Sequence, residues 1–246
     1  ETRDGTILLH IDNQGQETSK SYPFHPNTNN PTLPFGNPDR QAYVINTDKA
    51  GKTLFFASNH EDKAVYSIYS MNMADKKVTR VSNGKINLMY GMVTPDATFV
   101  VGYRALSNNE NQLYLINTKN KTTKLFFKKK GSVFNPAFVD GKTMSLYGTT
   151  DYKRDRKGCA RIPLNKPNHV YYVRETKGKD TSCGYGEWSK LYQVNESYKG
   201  RKELTFYRSM FKGKITVPQI FTNQTVSALA YDRKTGEMLL KYQAAN

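Results

Sequence analysis

A threonine that begins an apolar run recurs at Thr53, Thr98 and Thr143, 45 positions apart each time. The first two runs, Leu54-Phe-Phe-Ala-Ser58 and Phe99-Val-Val-Gly102, are followed at the same interval by Ile68-Tyr-Ser-Met-Asn72 and Leu113-Tyr-Leu-Ile-Asn117, each turning at its asparagine into a further short strand. Between Lys85 and Lys130 this gives four strands in a row, with turn signals at Thr94-Pro95-Asp96 and at Asn117 to Lys121. A four-strand unit repeating every 40 to 50 residues cannot bury its own faces and must stack against copies of itself, the pattern of a propeller blade.

The expected fold is therefore all-β: a five-bladed β-propeller with four antiparallel strands per blade, in a single domain over 1–246. Blades are expected at about 42–82, 86–127, 134–178 and 184–221. The hairpins at 6–22 and 226–242 each supply only half a unit, and pairing them closes the ring without exposed sheet edges. Pro23, Pro26, Pro31, Pro34 and Pro38 forbid a central strand between the first hairpin and the next blade. Seventeen tyrosines and twelve phenylalanines suit pleated, half-buried surfaces, and no helical periodicity competes with this reading.

No run is long and apolar enough to be a transmembrane segment. The chain opens at Glu1 rather than Met, and a mature or trimmed soluble protein, monomeric, is expected. Two cysteines, Cys159 and Cys183, are too few for a disulfide-rich scaffold or a four-cysteine zinc site. They form either one disulfide worth roughly 3 kcal/mol or two unrelated buried thiols. We expect the disulfide, which places the protein in an oxidising compartment.

Leu54-Phe-Phe-Ala-Ser58, Tyr66-Ser-Ile-Tyr-Ser-Met-Asn72 and Lys77-Val-Thr-Arg-Val-Ser82 resemble the WD40-like repeat of TolB-type propellers, and Thr94-Pro95-Asp96-Ala97 and Val139-Asp140-Gly141-Lys142 match its turn. The resemblance covers about 42–147. It implies a secreted or periplasmic propeller that acts mainly as a binding platform. Nothing in the matching residues corresponds to TolB's helical domain or to the hydrolase domain of the prolyl oligopeptidase family. TolB's lipoprotein partner is therefore not carried over, nor is the hydrolase activity of the prolyl oligopeptidase family.

A net charge of +16, from 37 Lys and Arg against 21 Asp and Glu, attracts anionic partners or serves solubility alone. In a propeller the loops between second and third strands share one mouth of the channel. Here they are 59–63, 104–111, 150–157 and 195–201. The third carries Lys153, Arg154, Arg156 and Lys157 beside Tyr152, fork donors and an aromatic ring suited to carboxylate, sulfate or phosphate. It is either a binding loop or a solvated charged loop diluted by Asp151 and Asp155. Arg104, His60 and Trp188 complete the candidate binding set. Protein and acidic glycan are the expected partners, with nucleic acid a third.

His60-Glu61-Asp62 has no ligand spacing that selects a metal, and neither metal nor cofactor is expected. No Gly-x-Ser-x-Gly, phosphate loop or His-Glu-x-x-His occurs, which leans against an enzyme. The alternative is a glycoside hydrolase using carboxylates near the channel, from Asp12, Asp48, Asp96, Asp140 and Glu187, or a lectin.

Overall fold

The computed structural model describes residues 7–11, 20–24, 40–186, 189–199, 201–215, 225–231, 235 and 237–243. All regular structure among the described residues is β. Two strands, β1 (Ile7–Ile11) and β2 (Lys20–Phe24), form a hairpin. Four antiparallel sheets follow, each pairing its strands in chain order. The first contains β3 (Ala42–Thr47), β4 (Thr53–Asp62), β5 (Val65–Asn72) and β6 (Val78–Arg80). The second contains β7 (Tyr90–Val93), β8 (Phe99–Ser107), β9 (Glu110–Asn117) and β10 (Thr123–Lys128). The third contains β11 (Phe134–Asp140), β12 (Ser145–Thr150), β13 (Gly158–Pro163) and β14 (Tyr171–Arg174). The fourth contains β15 (Asp180–Gly186), β16 (Leu191–Tyr198), β17 (Arg201–Ser209) and β18 (Lys212–Ile215). A last hairpin joins β19 (Thr225–Tyr231) and β20 (Met238–Gln243).

Among the described residues there are thus four complete four-stranded sheets, and each terminal hairpin forms its own two-stranded sheet. The shared fifth blade expected from these hairpins is not seen as one sheet. The proline-rich stretch after residue 24, Asp12, Glu187 and Trp188 lie outside the described residues.

The recurring residues have local structural tasks. At the inner turns a carboxylate accepts hydrogen bonds from the chain just beyond it. Asp48 takes the Lys52 N–H at 2.8 Å, Asp96 the Thr98 hydroxyl at 2.7 Å, and Asp140 the Thr143 hydroxyl at 2.6 Å. At the outer turns the asparagine side chain accepts the N–H two residues on, from Ala74 at 2.8 Å and from Lys119 at 3.0 Å. Lys76 and Lys121 occupy the same left-handed position of the two turns, with φ of 59° and 58°.

The chain forms two compact units, residues 1–130 with 139–144 and residues 131–138 with 145–246. In the first, Phe55, Ala57, Ile68, Val81, Leu88, Val100, Tyr114 and Ile116 pack the first two sheets face to face. The opposite face of the first sheet buries Ala42, Leu54, Phe56, Tyr69 and Met71. Leu54 to Ser58 is therefore buried on both faces and reads as a continuous apolar run instead of alternating. In the second unit β12 is buried at every residue.

Candidate anion-binding loop

The seven residues between β12 and β13, 151–157, leave a buried strand at Thr150 and enter another at Gly158. Both ends are tied down. The Asp151 carboxylate accepts the Val133 N–H at 3.1 Å, and its carbonyl accepts the Arg154 N–H at 2.9 Å. That second bond closes a tight turn in which Lys153 takes a left-handed φ of 56°. The Tyr172 hydroxyl, on β14, donates to the Tyr152 carbonyl at 2.5 Å. At the far end the Lys157 N–H donates to Asp180 Oδ1 at 2.9 Å, and the Lys157 carbonyl accepts the Thr181 N–H at 2.7 Å. Two residues further along each strand, Cys159 and Cys183 form the disulfide expected from sequence, with a Cα separation of 5.5 Å.

Gly158 is required by Tyr172, because a Cβ there would lie 2.8 Å from ring carbons Cδ1 and Cε1. Burial, opposed by Arg154 and reinforced by Asp151 and Glu175, pushes the Tyr172 phenol up to about 12. The hydroxyl therefore stays protonated and keeps donating to the loop.

Lys153, Arg154, Arg156 and Lys157 are all exposed. Two of them meet carboxylates of the same unit. Arg154 Nε lies 3.0 Å from Glu175 Oε2, with its guanidinium carbon 4.6 Å from the centre of the Tyr172 ring. Arg156 Nη1 lies 3.6 Å from Asp180 Oδ2. Lys153 Nζ lies 5.5 Å from the centre of the Tyr152 ring. Exposed pairs of this kind are worth less than about 1 kcal/mol and exchange readily with other anions. Beside them an open hollow of about 400 Å³ is lined by Tyr172, Val173, Arg174 and Glu175.

Behind the hollow a second charge network holds the strands. The Thr176 hydroxyl donates to Glu196 at 2.6 Å, Lys179 Nζ lies 3.4 Å from Glu196 and 2.8 Å from Glu203, and Arg174 lies 3.8 Å from Glu196. Burial alone would raise the Glu196 pKa. The Thr176 and Lys179 hydrogen bonds, with the charges of Lys179 and Arg174, outweigh it and hold the carboxyl below its ordinary value. A depressed folded-state pKa contributes stability above the unfolded value and loses it as pH falls through the folded one. Glu196→Gln is accordingly expected to cost about 1–2 kcal/mol in urea unfolding at neutral pH. The gap to wild type should close as pH drops below the carboxylate range.

Arg104 and His60 are held by strands of the first unit. Arg104 stands within β8, paired across the sheet with Gln112, because that strand runs on through a polar stretch read as loop from sequence. Its Nη1 lies 3.5 Å from Gln112 Oε1. His60 stands within β4 with its ring 5.5 Å from that of Tyr69, and Glu61 pairs with Arg80. Both belong to the first unit and the basic loop to the second. Asp48, Asp96 and Asp140, considered as hydrolase carboxylates, are engaged by their own turns. Among the described residues no three His, Cys, Asp or Glu gather as a metal site, and no helix is long and apolar enough to cross a membrane.

Glu175, Asp180 and Glu196 were missed by sequence reading. The disulfide gave a partial signal: with the two segments running in the same direction, residues two positions before each cysteine face one another, as Lys157 and Thr181 do, with Asp180 beside them.

No protein-family model matches the sequence, and a search of curated proteins finds no relative. Solved structures do match. A prolyl endopeptidase superposes with a TM-score of 0.71 over 97% of this chain and 40% of its own, at 12% identity. TolB from Acinetobacter baumannii superposes with a TM-score of 0.59 over 82% of this chain and 49% of its own, at 10% identity. The fold is a TolB-like β-propeller. Within this propeller the basic loop is a connection between the second and third strands of a blade, as the repeat predicts. The chain spans less than half the length of either structure.

Proposed function

We propose that this propeller is a secreted or periplasmic binding protein that engages an anionic macromolecular partner through the 151–157 loop. Lys153, Arg154, Arg156 and Lys157 make the main contacts and Tyr152 packs beside them. In this reading the chain is one monomeric five-bladed domain, with the terminal hairpins completing the fifth blade. The observation that carries the proposal is the anchoring of the loop. Four exposed cations are presented on a segment fixed at one end by Asp151 and Tyr172 and at the other by Asp180, Thr181 and the disulfide. Preorganised donors bind at lower entropic cost than mobile ones. The disulfide supports an oxidising compartment.

The test is a salt series against heparin-like glycan, an acidic polypeptide, single-stranded DNA and acidic liposomes, with a variant carrying K153S, R154S, R156S and K157S. Four contacts of about 0.4 kcal/mol each sum to about 1.6 kcal/mol, so the variant is expected to bind about ten-fold more weakly. Its salt dependence should also be shallower. Equal binding by both proteins, or none by either, refutes the loop as the site.

The likeness to a prolyl endopeptidase leaves an enzymatic reading open, a glycoside hydrolase using carboxylates near the channel, and a lectin is the other alternative. Turnover of a labelled peptide or glycan, abolished by replacing a carboxylate of this chain, would displace the binding reading.

A further inference from the structure

Resting on that reading, we propose that Glu175 and Asp180 are built-in occupants of the anion site, and that the partner is an acidic protein segment whose carboxylates replace them on Arg154 and Arg156. The two arginines already carry the ligand chemistry they are suited to. Each faces the carboxylate of a side chain that approaches from outside the loop, from β14's end and from the start of β15. These carboxylates are accessible, with Glu175 52% and Asp180 42% exposed, so another carboxylate can reach and exchange with them. A guanidinium has five N–H donors in a fixed fork. Arg154 gives its Nε to Glu175 and an Nη1 to the Lys153 carbonyl at 3.3 Å, which leaves donors for an incoming group. Glu175 also lines the open hollow beside Arg174, so a side chain that displaces it has somewhere to sit.

Two features select protein over the other polyanions. Single-stranded nucleic acid is held by stacking bases on free aromatic faces. Here Arg154 lies over Tyr172, against which Gly158 also packs, and Lys153 lies over Tyr152. A densely charged glycan binds through uncompensated cations. Around this loop Lys153, Arg154, Arg156 and Lys157 are matched by Asp151, Asp155, Glu175 and Asp180. The loop itself therefore adds little to the long-range attraction of a chain of net charge +16, and its own recognition falls to carboxylate exchange at contact distance.

The experiment is fluorescence anisotropy of a labelled oligoglutamate peptide at about 0.15 M salt, with heparin oligosaccharide and single-stranded DNA as parallel probes. The proteins are wild type, Glu175→Gln, Asp180→Asn, Arg154→Gln and the Arg154→Gln/Glu175→Gln double variant. Removing a mask worth 0.2–1 kcal/mol is expected to tighten oligoglutamate binding about 1.5- to 5-fold for Glu175→Gln. The gain should vanish when Arg154 is already Gln, which separates a mask on this arginine from a general change in charge. Asp180→Asn should tighten binding too, but Asp180 also holds the Lys157 N–H, so the Glu175 cycle decides. Absence of wild-type binding to every probe overturns the underlying site. Tighter binding of heparin or DNA than of oligoglutamate overturns the partner class. Oligoglutamate binding with no gain in Glu175→Gln, or with a gain that survives Arg154→Gln, overturns the mask.

Discussion

Gly148→Ala is expected to destabilise the second unit by about 3 kcal/mol or more, the upper range for overpacking a core. Gly148 lies in β12 opposite Ala160, in a strand with no exposed residue. An added Cβ would lie 2.3 Å from the Asn135 carbonyl oxygen and 2.5 Å from Phe134 Cε1. The carbonyl is backbone and Phe134 is fully buried, so neither can withdraw without opening the sheet. Gly84→Ala provides the contrast. Its Cβ would also meet a close neighbour, Arg80 Nη1 at 2.7 Å, but that is the end of a flexible, exposed side chain. It should cost no more than about 0.5 kcal/mol. Urea unfolding of the two variants beside wild type gives both numbers, and equal effects would contradict the packing described for β12.

Removing the disulfide with the double substitution Cys159→Ala/Cys183→Ala is expected to cost about 2–5 kcal/mol. The bridge closes a segment with a sequence separation of 24, and its sulfur-bearing residues are 0% and 6% exposed. Its loss both frees the unfolded chain and removes packing. The bond also joins β13 to β15 two residues beyond the Lys157–Thr181 hydrogen bond, so the far end of the basic loop should loosen with it. Thermal unfolding of oxidised wild type, dithiol-reduced wild type and the double variant should place the last two together, well below the first. Coincidence of all three would show that the bridge contributes nothing to the folded state.

How much of this was legible in sequence depended on how local each cause was. Thr98 and Thr143 repeat because each donates to the turn carboxylate just before it, and Asn72 and Asn117 because each closes its own hairpin. Such residues mark the repeat wherever they fall. In the second unit the signal fades. β13, Gly-Cys-Ala-Arg-Ile-Pro, and β15, Asp-Thr-Ser-Cys-Gly-Tyr-Gly, carry little apolar alternation, and their burial comes from neighbouring strands and the disulfide. Both β13 and β14 (Tyr171–Arg174) fall within the blade expected at about 134–178, but neither carries the repeat's marker residues.

The loop was legible as a run of cations, but not their state. Glu175 and Asp180 lie more than twenty residues further along the chain and reach the arginines only through the folding of β14 and β15. Arg104 and His60 looked like loop residues because Arg104-Ala-Leu-Ser-Asn-Asn and Ser58-Asn-His-Glu-Asp are polar. Hairpin strands run on through such segments when cross-strand partners such as Ser107 and Glu110, or Asp62 and Val65, still face one another.

We place partner binding on the 151–157 loop and the strands that hold it. Hydrogen–deuterium exchange of the wild-type protein, alone and with saturating oligoglutamate, tests it most directly. Slowed exchange is expected in peptides covering 151–157 and 172–180. Slowed exchange confined to other peptides, such as those around His60 or Arg104, with 151–157 unchanged, would contradict it.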